Sequence, residues 1–346
     1  MIVKAQSKPM NIVILDDYQD VVRKLECASK LENYHAKVYT NSVKGLGQLQ
    51  VRLKDADVIV LNRERTHMPR QLIEKLPKLK LIVQTGRVGP HIDVAACTEC
   101  GILVAEGSGS PVAPAELTWA LIMAAMRRLP QYIGNLKHGA WQQSGLKVGS
   151  MPANFCLGTV LKGRTLGIWG YGRIGQLLAG YGKIFGMHVL VWGRTPSRER
   201  AVLDGFEAAL DQDDFFTRSD VLSLHLRLVT ETRGIVRADD LAHMKPTALL
   251  VNTSRSELIE PDALIGALNR GRPGMAAIDV FETEPILQGH ALLRLENCIC
   301  TPHIGYVEQD TYDMYFGAAF DNVINFIKGT PTNIVNPAAS QVHRLR

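Results

Sequence analysis

Short apolar runs alternate with segments of helical periodicity through residues 11–104. The runs have the length of buried strands, and the segments between them repeat apolar residues every three or four positions. This alternation predicts right-handed βαβ units around a parallel sheet. The strands are predicted at Asn11–Leu15, Ala36–Tyr39, Val58–Leu61, Leu81–Gln84 and Ile102–Val104. The helices are predicted at Gln19–Leu31, Val43–Lys54, Pro69–Leu76 and Ile92–Cys100.

The same alternation resumes at Gly163, after the flexible stretch Gly107–Pro111 and a strongly apolar helical segment. Six strands are predicted there, near residues 165–169, 188–192, 220–224, 247–252, 274–278 and 298–300. The last helical stretch, Gln309–Lys328, is long enough to return to the first domain. We therefore predict an α/β protein of two domains, residues 1–111 with 309–346 and residues 112–308.

A glycine-rich turn, TLGIWGYGRIG, joins the first strand of the second domain to a helix. Gly170 permits the tight turn, Gly172 lets the backbone approach a pyrophosphate, and Gly175 lets the helix pack closely on its strand. Phosphates then lie at the helix N-terminus, where unpaired N–H groups and the macrodipole favour an anion. The alternative is an ordinary tight turn that binds nothing. The expected cofactor-binding residues of this turn are Gly170, Tyr171, Gly172, Arg173, Ile174 and Gly175.

The composition is ordinary for a soluble globular protein and argues against several kinds of partner. Of the 346 residues, 46% are hydrophobic and 21% charged, and the formal net charge of +5 (39 minus 34) is spread without a long basic run. We therefore expect neither nucleic acid nor a membrane as partner. No apolar stretch is long enough to span a bilayer, and MIVKAQSKPM lacks a signal-peptide core, so a cytoplasmic location is expected.

Six cysteines in a chain of this length do not indicate a disulfide scaffold. Cys97 and Cys100 form a CxxC within a helical pattern, but neither a second pair nor a histidine cluster completes a zinc site. Two core-facing thiols are the simpler interpretation, and the same applies to Cys298 and Cys300. We expect no metal.

Three residues with complementary chemistry follow strands of the second domain: Arg255, Glu284 and His303. Ligands bind at the carboxyl edge of an open parallel sheet, so these side chains are candidates for catalysis. A guanidinium holds the carboxylate and carbonyl oxygen of a 2-oxo acid, and an imidazole transfers the hydroxyl proton. A carboxylate beside the imidazole fixes its tautomer and favours its protonated form. Taken singly, each residue also fits a surface charge or a turn cap.

Six motifs follow one another along the chain. They are TGRVGPHID (85–93), AELTWALIMAAMRR (115–128), LKGRTLGIWGYGRIG (161–175), MKPTALLVNTSRSELIEPDAL (244–264), AAIDVFETEP (276–285) and TPHIGY (301–306). They resemble those of the D-isomer-specific 2-hydroxyacid dehydrogenase family. The resemblance implies a dinucleotide-binding Rossmann domain inserted in a flavodoxin-like, parallel-sheet substrate domain, with the active site in the interdomain cleft. It also implies a homodimer joined through the segment that matches residues 114–161.

The resemblance also assigns roles to single residues. The catalytic Arg, Glu and His of the family correspond to Arg255, Glu284 and His303, and its nicotinamide-contacting Asp corresponds to Asp279. Its carboxylate-binding loop, which uses backbone N–H groups, corresponds to Gly86, Arg87, Val88 and Gly89. Further positions that border the cofactor are Thr118, His225, Asn252, Thr253, Ser254 and Gly305.

Three departures from the family pattern affect these expectations. The second Rossmann strand ends in Gly193, Arg194 and Thr195, without the ribose-binding Asp of many NAD-using relatives, so NADP(H) is favoured over NAD(H). Alternatively, Arg194 stacks on adenine or points to solvent. Ser256 replaces a usual Gly after the catalytic Arg. Tyr306 replaces a frequent Gly, and it either borders the substrate or packs in the core.

The sequence thus predicts an NAD(P)-dependent oxidoreductase that interconverts a small 2-oxo acid, of glyoxylate or hydroxypyruvate type, and its D-2-hydroxy acid. Arginines within Asn62–Thr66 and at Arg87 either accommodate a second anionic group or pair with Glu64 and water. A dinucleotide-sensing binding protein, like the corepressors that share this fold, is the alternative from another class. Formate- or phosphite-type oxidation is a third possibility, although Glu284 stands where formate enzymes have Gln.

Overall fold

The computed structural model describes residues 10–142 and 157–342. The chain divides into two compact units, one made of Met1–Ser110 with Val307–Arg346 and the other of Pro111–Tyr306. The described strands are β1 (Asn11–Ile14), β2 (His35–Val38), β3 (Val58–Leu61), β4 (Leu81–Gln84), β5 (Leu103–Ala105), β6 (Thr165–Trp169), β7 (His188–Trp192), β8 (Glu207–Ala208), β9 (Val221–Leu224), β10 (Leu249–Asn252), β11 (Met275–Ile278) and β12 (Cys298–Cys300). The described helices are α1 (Leu46–Leu53), α2 (Arg70–Ile73), α3 (Val94–Glu99), α4 (Val112–Met126), α5 (Leu129–Lys137), α6 (Arg173–Ile184), α7 (Thr195–Leu203), α8 (Gln212–Arg218), α9 (Ala238–His243), α10 (Ala263–Arg270) and α11 (Gln309–Ile327).

The sheet of the first unit has the strand order β2-β1-β3-β4-β5, and every neighbouring pair is parallel. This is the flavodoxin-like order, which confirms the predicted fold class for this part of the chain. β3 (VIVL) and β4 (LIVQ) are buried along their whole length, as central strands covered on both faces must be. β2 lies at the edge and is largely exposed. Helix α11 packs on β4 from the other end of the chain.

One predicted helix of the first unit, Gln19–Leu31, is wrong in type. The segment forms two 3₁₀-helices, Val22–Lys24 and Glu26–Leu31, with Leu25 in an extended conformation between them. The carboxylate of Asp17 accepts hydrogen bonds from two successive N–H groups at the start of the first piece, at 3.2 and 2.9 Å. The chain therefore turns tightly here, and its apolar residues reach the core without forming a continuous α-helix.

The sheet of the second unit contains seven described strands in the order β12-β11-β10-β9-β6-β7-β8, all of them parallel. The prediction of six strands is wrong because β8, which pairs with β7, contributes only two residues, Glu207 and Ala208. So short an edge strand has no apolar run that sequence analysis detects. The order reverses between β6 and β9, and ligands of doubly wound sheets bind at such a switch point.

The core of the second unit surrounds this sheet on both faces. On one face, Phe215 and Phe216 of α8 are fully buried and meet Trp169 edge to face, at ring distances of 6.0 and 5.8 Å. On the other face, α4 packs against α6 and β10. This helix is apolar over most of its length, and its buried residues include Leu121 and Ile122. The expected strongly apolar helix after residue 111 is therefore a core element.

Helix α5 differs from the other long helices because it has no buried residue. Its apolar side chains Leu129, Ile133 and Leu136 are 46%, 53% and 56% exposed, and their spacing places them on one helix face. The helix belongs to the segment 114–161 that the family resemblance assigns to subunit contact. Part of that segment, residues 143–156, lies outside the described residues.

Neither a membrane-spanning helix nor a metal cluster occurs in the described parts of the chain. No helix within residues 10–142 and 157–342 has the length and apolarity needed to cross a bilayer. Across the same ranges, no group of three or more His, Cys, Asp or Glu side chains is arranged to hold a metal ion. Cys97 of the CxxC sequence is fully buried, and Cys100 is half-buried beside it.

Candidate active site

The glycine-rich turn connects β6 to α6 in the second unit, and its glycines meet different constraints. Gly170 has φ +102°, and a Cβ there would lie 2.6 Å from the carbonyl oxygen of His225. A Cβ on Gly175 would lie 2.3 Å from the carbonyl oxygen of Gly170. Both positions therefore require glycine. At Gly172, by contrast, a Cβ would meet no described atom within 4 Å, so this face of the turn is open to a ligand.

The side chain of Tyr171 does not contribute to that open face. It is 5% exposed, packs edge to face on Phe206 and donates a hydrogen bond to Asp204 Oδ2 at 3.0 Å. Burial and this carboxylate together raise the pKa of Tyr171 to about 12. Any contact of Tyr171 with a cofactor is thus made by its backbone. Arg173, which begins α6, is exposed.

The segment after β7 carries two arginines, and it begins with Gly193, which lies beside the glycine-rich turn. Gly193 has φ +147°, and Arg194 forms the N-cap of α7 with an exposed side chain. Arg198, one turn along α7, stacks on Trp192 with 4.9 Å from its guanidinium carbon to the ring centre. Its buried Nε has no hydrogen-bond partner among the described residues. Two cations at this position form a suitable environment for a phosphate on the adenosine ribose.

The loop after β10 is fixed by hydrogen bonds of its own side chains. Asn252 accepts from the N–H of Ser254 at 3.0 Å and donates to the carbonyl of Arg255 at 2.8 Å. Ser254 donates to the carbonyl of Leu224 at 2.7 Å, and Thr253 shares a hydrogen bond of 2.7 Å with Thr118 of α4. These predicted cofactor-bordering residues therefore form one connected group.

His225 follows β9 and shares a 2.8 Å hydrogen bond with Ser223. Burial lowers the pKa of His225 to about 3, because the charged imidazolium is poorly solvated there. The ring is consequently neutral at physiological pH. It is unsuited to proton transfer near pH 7 but suited to packing against, or hydrogen bonding to, a neutral part of a cofactor.

A buried carboxylate, Asp279, connects the ends of β11 and β12. It is fully inaccessible to solvent and accepts hydrogen bonds from the hydroxyl of Thr301 (2.7 Å) and the N–H groups of Ile304 (2.9 Å) and Gly305 (3.0 Å). Burial raises the pKa of Asp279, although these donors and the charge of His303 oppose the rise. The predicted cofactor residues Asp279 and Gly305 are therefore in direct contact.

Glu284 and His303 form the hydrogen-bonded pair that the sequence predicts. His303 Nδ1 lies 2.6 Å from Glu284 Oε2, while Oε1 of the same carboxylate accepts from the N–H of Phe281 at 3.0 Å. His303 has φ +52°, an uncommon value for a residue with a side chain, and it follows the strand β12 directly after Thr301 and Pro302. The turn after β12 thus aims the ring at the carboxylate.

Opposing influences determine the ionisation of Glu284. Burial by itself disfavours the charged form, but the hydrogen bond and charge of His303, the N–H of Phe281 and the charge of Arg255 outweigh it. The pKa of Glu284 therefore lies below its usual range. A carboxylate that stays ionised at neutral pH makes a strong hydrogen bond to the imidazole and fixes the orientation of the ring. This is the arrangement required of a histidine that donates a proton.

Arg255 and Tyr306 complete the described environment of this pair. Arg255 follows β10 in an extended conformation, and its Nη1 donates to the carbonyl of Ser254 at 2.7 Å. Ser256, which replaces a usual Gly, begins a 3₁₀-helix in ordinary backbone geometry. Tyr306 is 7% exposed and lies edge to face on His303 at 5.7 Å. Tyr306 therefore packs against the imidazole and restricts its orientation.

In the first unit, the loop Gly86–Gly89 follows β4. Gly86 has φ +90°, and a Cβ there would lie 2.1 Å from a guanidinium nitrogen of Arg63. Arg87 is exposed, whereas the N–H of Val88 donates to Glu106 Oε2 at 3.0 Å. Gly89 lies close to both His91 and Glu64. A carboxylate of the protein itself therefore contacts the loop predicted to bind the carboxylate of a substrate.

The neighbouring arginines of the first unit have contacts of their own. Arg63 lies over the ring of Tyr315 at 5.4 Å. Arg65 lies over the ring of Tyr18 at 4.4 Å and donates to the carbonyl of Asp16 at 2.5 Å. Both guanidinium groups are therefore held in place by aromatic rings, which is the geometry of cation–π contacts.

A doubly wound sheet whose first turn is glycine-rich, with a carboxylate–imidazole pair beyond its adjacent strands, defines a dinucleotide-binding oxidoreductase fold. A model of the family described as D-isomer specific 2-hydroxyacid dehydrogenase, NAD binding domain, matches residues 119–305. The chain belongs to the D-isomer-specific 2-hydroxyacid dehydrogenase family, as its motifs predict. The family is one of oxidoreductases that use a nicotinamide cofactor.

The chain is similar to proteins that carry different names. It is 37% identical to a glyoxylate reductase of Thermococcus litoralis over 292 residues, covering 84% of this chain and 86% of the relative. It is 35% identical to a D-3-phosphoglycerate dehydrogenase of Methanocaldococcus jannaschii, covering 94% of this chain but only 59% of that longer protein. A crystal structure from Ralstonia solanacearum, described as a putative D-3-phosphoglycerate dehydrogenase oxidoreductase, is 62% identical with a TM-score of 0.95, covering 97% and 100% of the two chains.

Several residues of the site were not identified from the sequence. Sequence patterns do not indicate Thr301, although it precedes His303 and contacts Asp279. Sequence patterns do not indicate Arg198 either, because its stacking on Trp192 depends on the course of α7. Its spacing from Arg194 is nevertheless the spacing of residues on one helix face. Glu106 lies far along the chain from Val88, and no periodicity connects them.

Replacing His225 tests its buried, neutral state through acid stability. Its pKa of about 3 in the folded protein lies below the unfolded value near 6.5, so the unfolded state binds the proton first as pH falls. We expect the wild type to lose about 2 kcal/mol of stability between pH 7 and pH 5 relative to His225→Asn. Urea unfolding at both pH values measures this. The exposed His188→Asn is the control, and equal pH dependence of all three proteins would contradict the prediction.

Proposed function

We propose that the chain interconverts a small 2-oxo acid and the corresponding D-2-hydroxy acid by hydride transfer with a nicotinamide cofactor. The observation that carries this proposal is the 2.6 Å pair of His303 and the ionised Glu284 at the carboxyl edge of the sheet. In the direction of reduction, His303 donates a proton to the carbonyl oxygen. Glu284 hydrogen-bonds to the ring and holds its tautomer and orientation.

Arg255 has the role of substrate clamp in this proposal. Its guanidinium presents fixed donors that match the carboxylate and the carbonyl oxygen of a 2-oxo acid. Its positive charge also helps to lower the pKa of Glu284, whose reduced value reflects burial overcome by His303, Phe281 and Arg255. The backbone N–H groups of Arg87, Val88 and Gly89 then bind the substrate carboxylate, as the family resemblance implies. Tyr306 borders the substrate through its contact with His303.

The proposed cofactor is NADP(H), which supplies or accepts the hydride. Gly172 leaves room for a pyrophosphate at the start of α6. Arg194 and Arg198 stand where a ribose phosphate is expected, and the unpartnered Nε of Arg198 supports an anion at this point. The absence of a carboxylate in the Gly193–Thr195 segment supports the same choice over NAD(H). Thr118, His225 and the loop Asn252–Ser254 border the nicotinamide half in this proposal.

The proposed substrates are of glyoxylate or hydroxypyruvate type, in agreement with the name of the Thermococcus litoralis relative. Arg63 and Arg65 support a wider set that carries a second anionic group, as the names that refer to phosphoglycerate also suggest. A panel of 2-oxo acids with and without a distal carboxylate or phosphate separates these substrates. Tight cofactor binding without turnover of any member would favour the dinucleotide-sensing alternative.

A homodimer is the proposed assembly. Leu129, Ile133 and Leu136 form an exposed apolar face on α5, within the segment that joins subunits in the family. An exposed face of this kind is typical of a protein–protein interface. A second copy of the chain covers it in this proposal.

Replacing Arg255 with alanine tests the substrate clamp. We expect kcat/KM for the best 2-oxo acid of the panel to fall by about a hundredfold or more, because charge-assisted hydrogen bonds in the transition state are lost. Steady-state assays with NADPH and NADH measure it. The exposed Arg233→Ala in the same unit is the control. Turnover at the wild-type level by Arg255→Ala would defeat the role assigned to the residue.

The cofactor proposal is tested at the end of β7. Arg194→Ala and Arg198→Ala should each raise the KM for NADPH by about tenfold, since each removes a charge-assisted contact with the phosphate. The KM for NADH should change less than about twofold. Arg200→Ala, which lies on α7 but pairs with Asp204, is the matched control. A large preference of the wild type for NADH would show that these arginines do not select the cofactor.

The dimer proposal is tested on α5. A buried, unpaired carboxylate in an apolar interface is costly, so Ile133→Asp should convert a dimer into monomers at micromolar concentration. Light scattering coupled to gel filtration measures the mass. Val51→Asp, an exposed apolar position on α1, controls for a general effect of the added charge. A wild-type protein that runs as a monomer, or a variant that remains dimeric, would refute this interface.

A further inference from the structure

The loop proposed to bind the substrate carboxylate already holds a carboxylate of the protein. The N–H of Val88 donates to Oε2 of Glu106 at 3.0 Å. Backbone N–H groups are the donors with which such a loop binds an anion, and each N–H makes one strong hydrogen bond. While Glu106 accepts from Val88, this donor is not available to a second carboxylate.

The position of Glu106 is fixed by its backbone, so the contact with Val88 is built into the fold. Its N–H donates to the carbonyl of Asn333 at 3.0 Å, and its carbonyl accepts from the side chain of Asn322 of α11 at 3.2 Å. The next residue, Gly107, donates to the carbonyl of Gly86 at 2.8 Å. A Cβ on Gly107 would lie 3.0 Å from the N of Gly86, which shows how closely the two segments approach.

The loop does not need the side chain of Glu106 to keep its shape. The backbone hydrogen bond from Gly107 to Gly86 anchors the loop independently, and the positive φ of Gly86 sets the turn. The carboxylate of Glu106 forms no ion pair with any lysine, arginine or histidine in the parts of the chain that the structure describes. Its negative charge is therefore not neutralised by a direct partner.

We propose that Glu106 is an internal competitor, a carboxylate that occupies the Val88 N–H and weakens the binding of anionic ligands to the loop Gly86–Gly89. Two effects combine: the substrate must displace Glu106 from a donor, and it must approach a second negative charge. Glu106 therefore sets the affinity of the site for its substrate. This inference rests on the proposed function, because it takes the loop as the binding place of the substrate carboxylate.

Two substitutions separate competition from mere positioning. Glu106→Gln keeps an oxygen acceptor for Val88 but removes the charge, and Glu106→Ala removes both. If Glu106 competes with the substrate, both variants should bind an anionic ligand more tightly than the wild type, and Glu106→Ala should bind it most tightly. If Glu106 only positions the loop, Glu106→Ala should bind the ligand more weakly and Glu106→Gln should bind it like the wild type. Glu32→Gln, an exposed glutamate of the same unit, is the matched control.

The experiment measures binding of oxalate to the full-length proteins by calorimetry, with saturating cofactor, and the KM for glyoxylate. We expect Glu106→Ala to bind oxalate about tenfold more tightly than wild type, with a similar fall in KM and kcat within about twofold. Thermal melting confirms that the variants are folded. Unchanged or weaker oxalate binding in both variants overturns the proposal, and so does failure of all the proteins to bind oxalate.

The calorimetric measurement separates a failure of this inference from a failure of the proposed function. If no 2-oxo acid is turned over but both variants bind oxalate more tightly, the proposed activity fails and the role of Glu106 stands. If the wild type reduces glyoxylate and the variants match it in both binding and KM, the activity stands and the competitor role is refuted.

Discussion

The buried carboxylate of Asp279 is the interaction on which the second unit's site depends. It accepts hydrogen bonds from Thr301, Ile304 and Gly305, and its own N–H donates to the carbonyl of Asn252 at 3.0 Å. The ends of β10, β11 and β12 are therefore connected through one residue. A buried carboxylate is tolerated only with such a full set of donors, so the turn that carries His303 has little freedom to move.

Carboxylates that accept from backbone N–H groups recur wherever the chain must hold a loop. Asp17 accepts from two N–H groups after β1, Glu284 from Phe281, and Glu106 from Val88. The charged acceptor makes a stronger hydrogen bond than a neutral one and fixes an irregular backbone without regular secondary structure. At Glu284 the same carboxylate also contacts His303, so the interaction that fixes a loop also orients a titratable ring.

The sequence predicts the regular parts of this structure well because its strands are continuous apolar runs. The strands β3, β4, β6 and β7 begin and end at the residues that the sequence predicts. Prediction fails where contacts with other segments or side chains determine the local backbone conformation. β8 is defined by its pairing with β7, and the segment after Asp17 is held in 3₁₀ turns by a carboxylate. In the site, the glycines and the Glu284–His303 pair follow from motifs. The stacking of Arg198 on Trp192 depends on the course of α7, and no periodicity connects Glu106 with Val88.

The first unit is assembled from both ends of the chain, with α11 and the residues after it completing a fold that begins at β1. Asn336, near the end, accepts from the N–H of Val104 at 2.7 Å and donates to the carbonyl of Ile102 at 2.9 Å. During synthesis on the ribosome, the contiguous second unit emerges complete while the first still lacks its final helix. The face of β4 that α11 covers therefore stays open until α11 has been made, so the first unit completes its core only after the second unit has been synthesised.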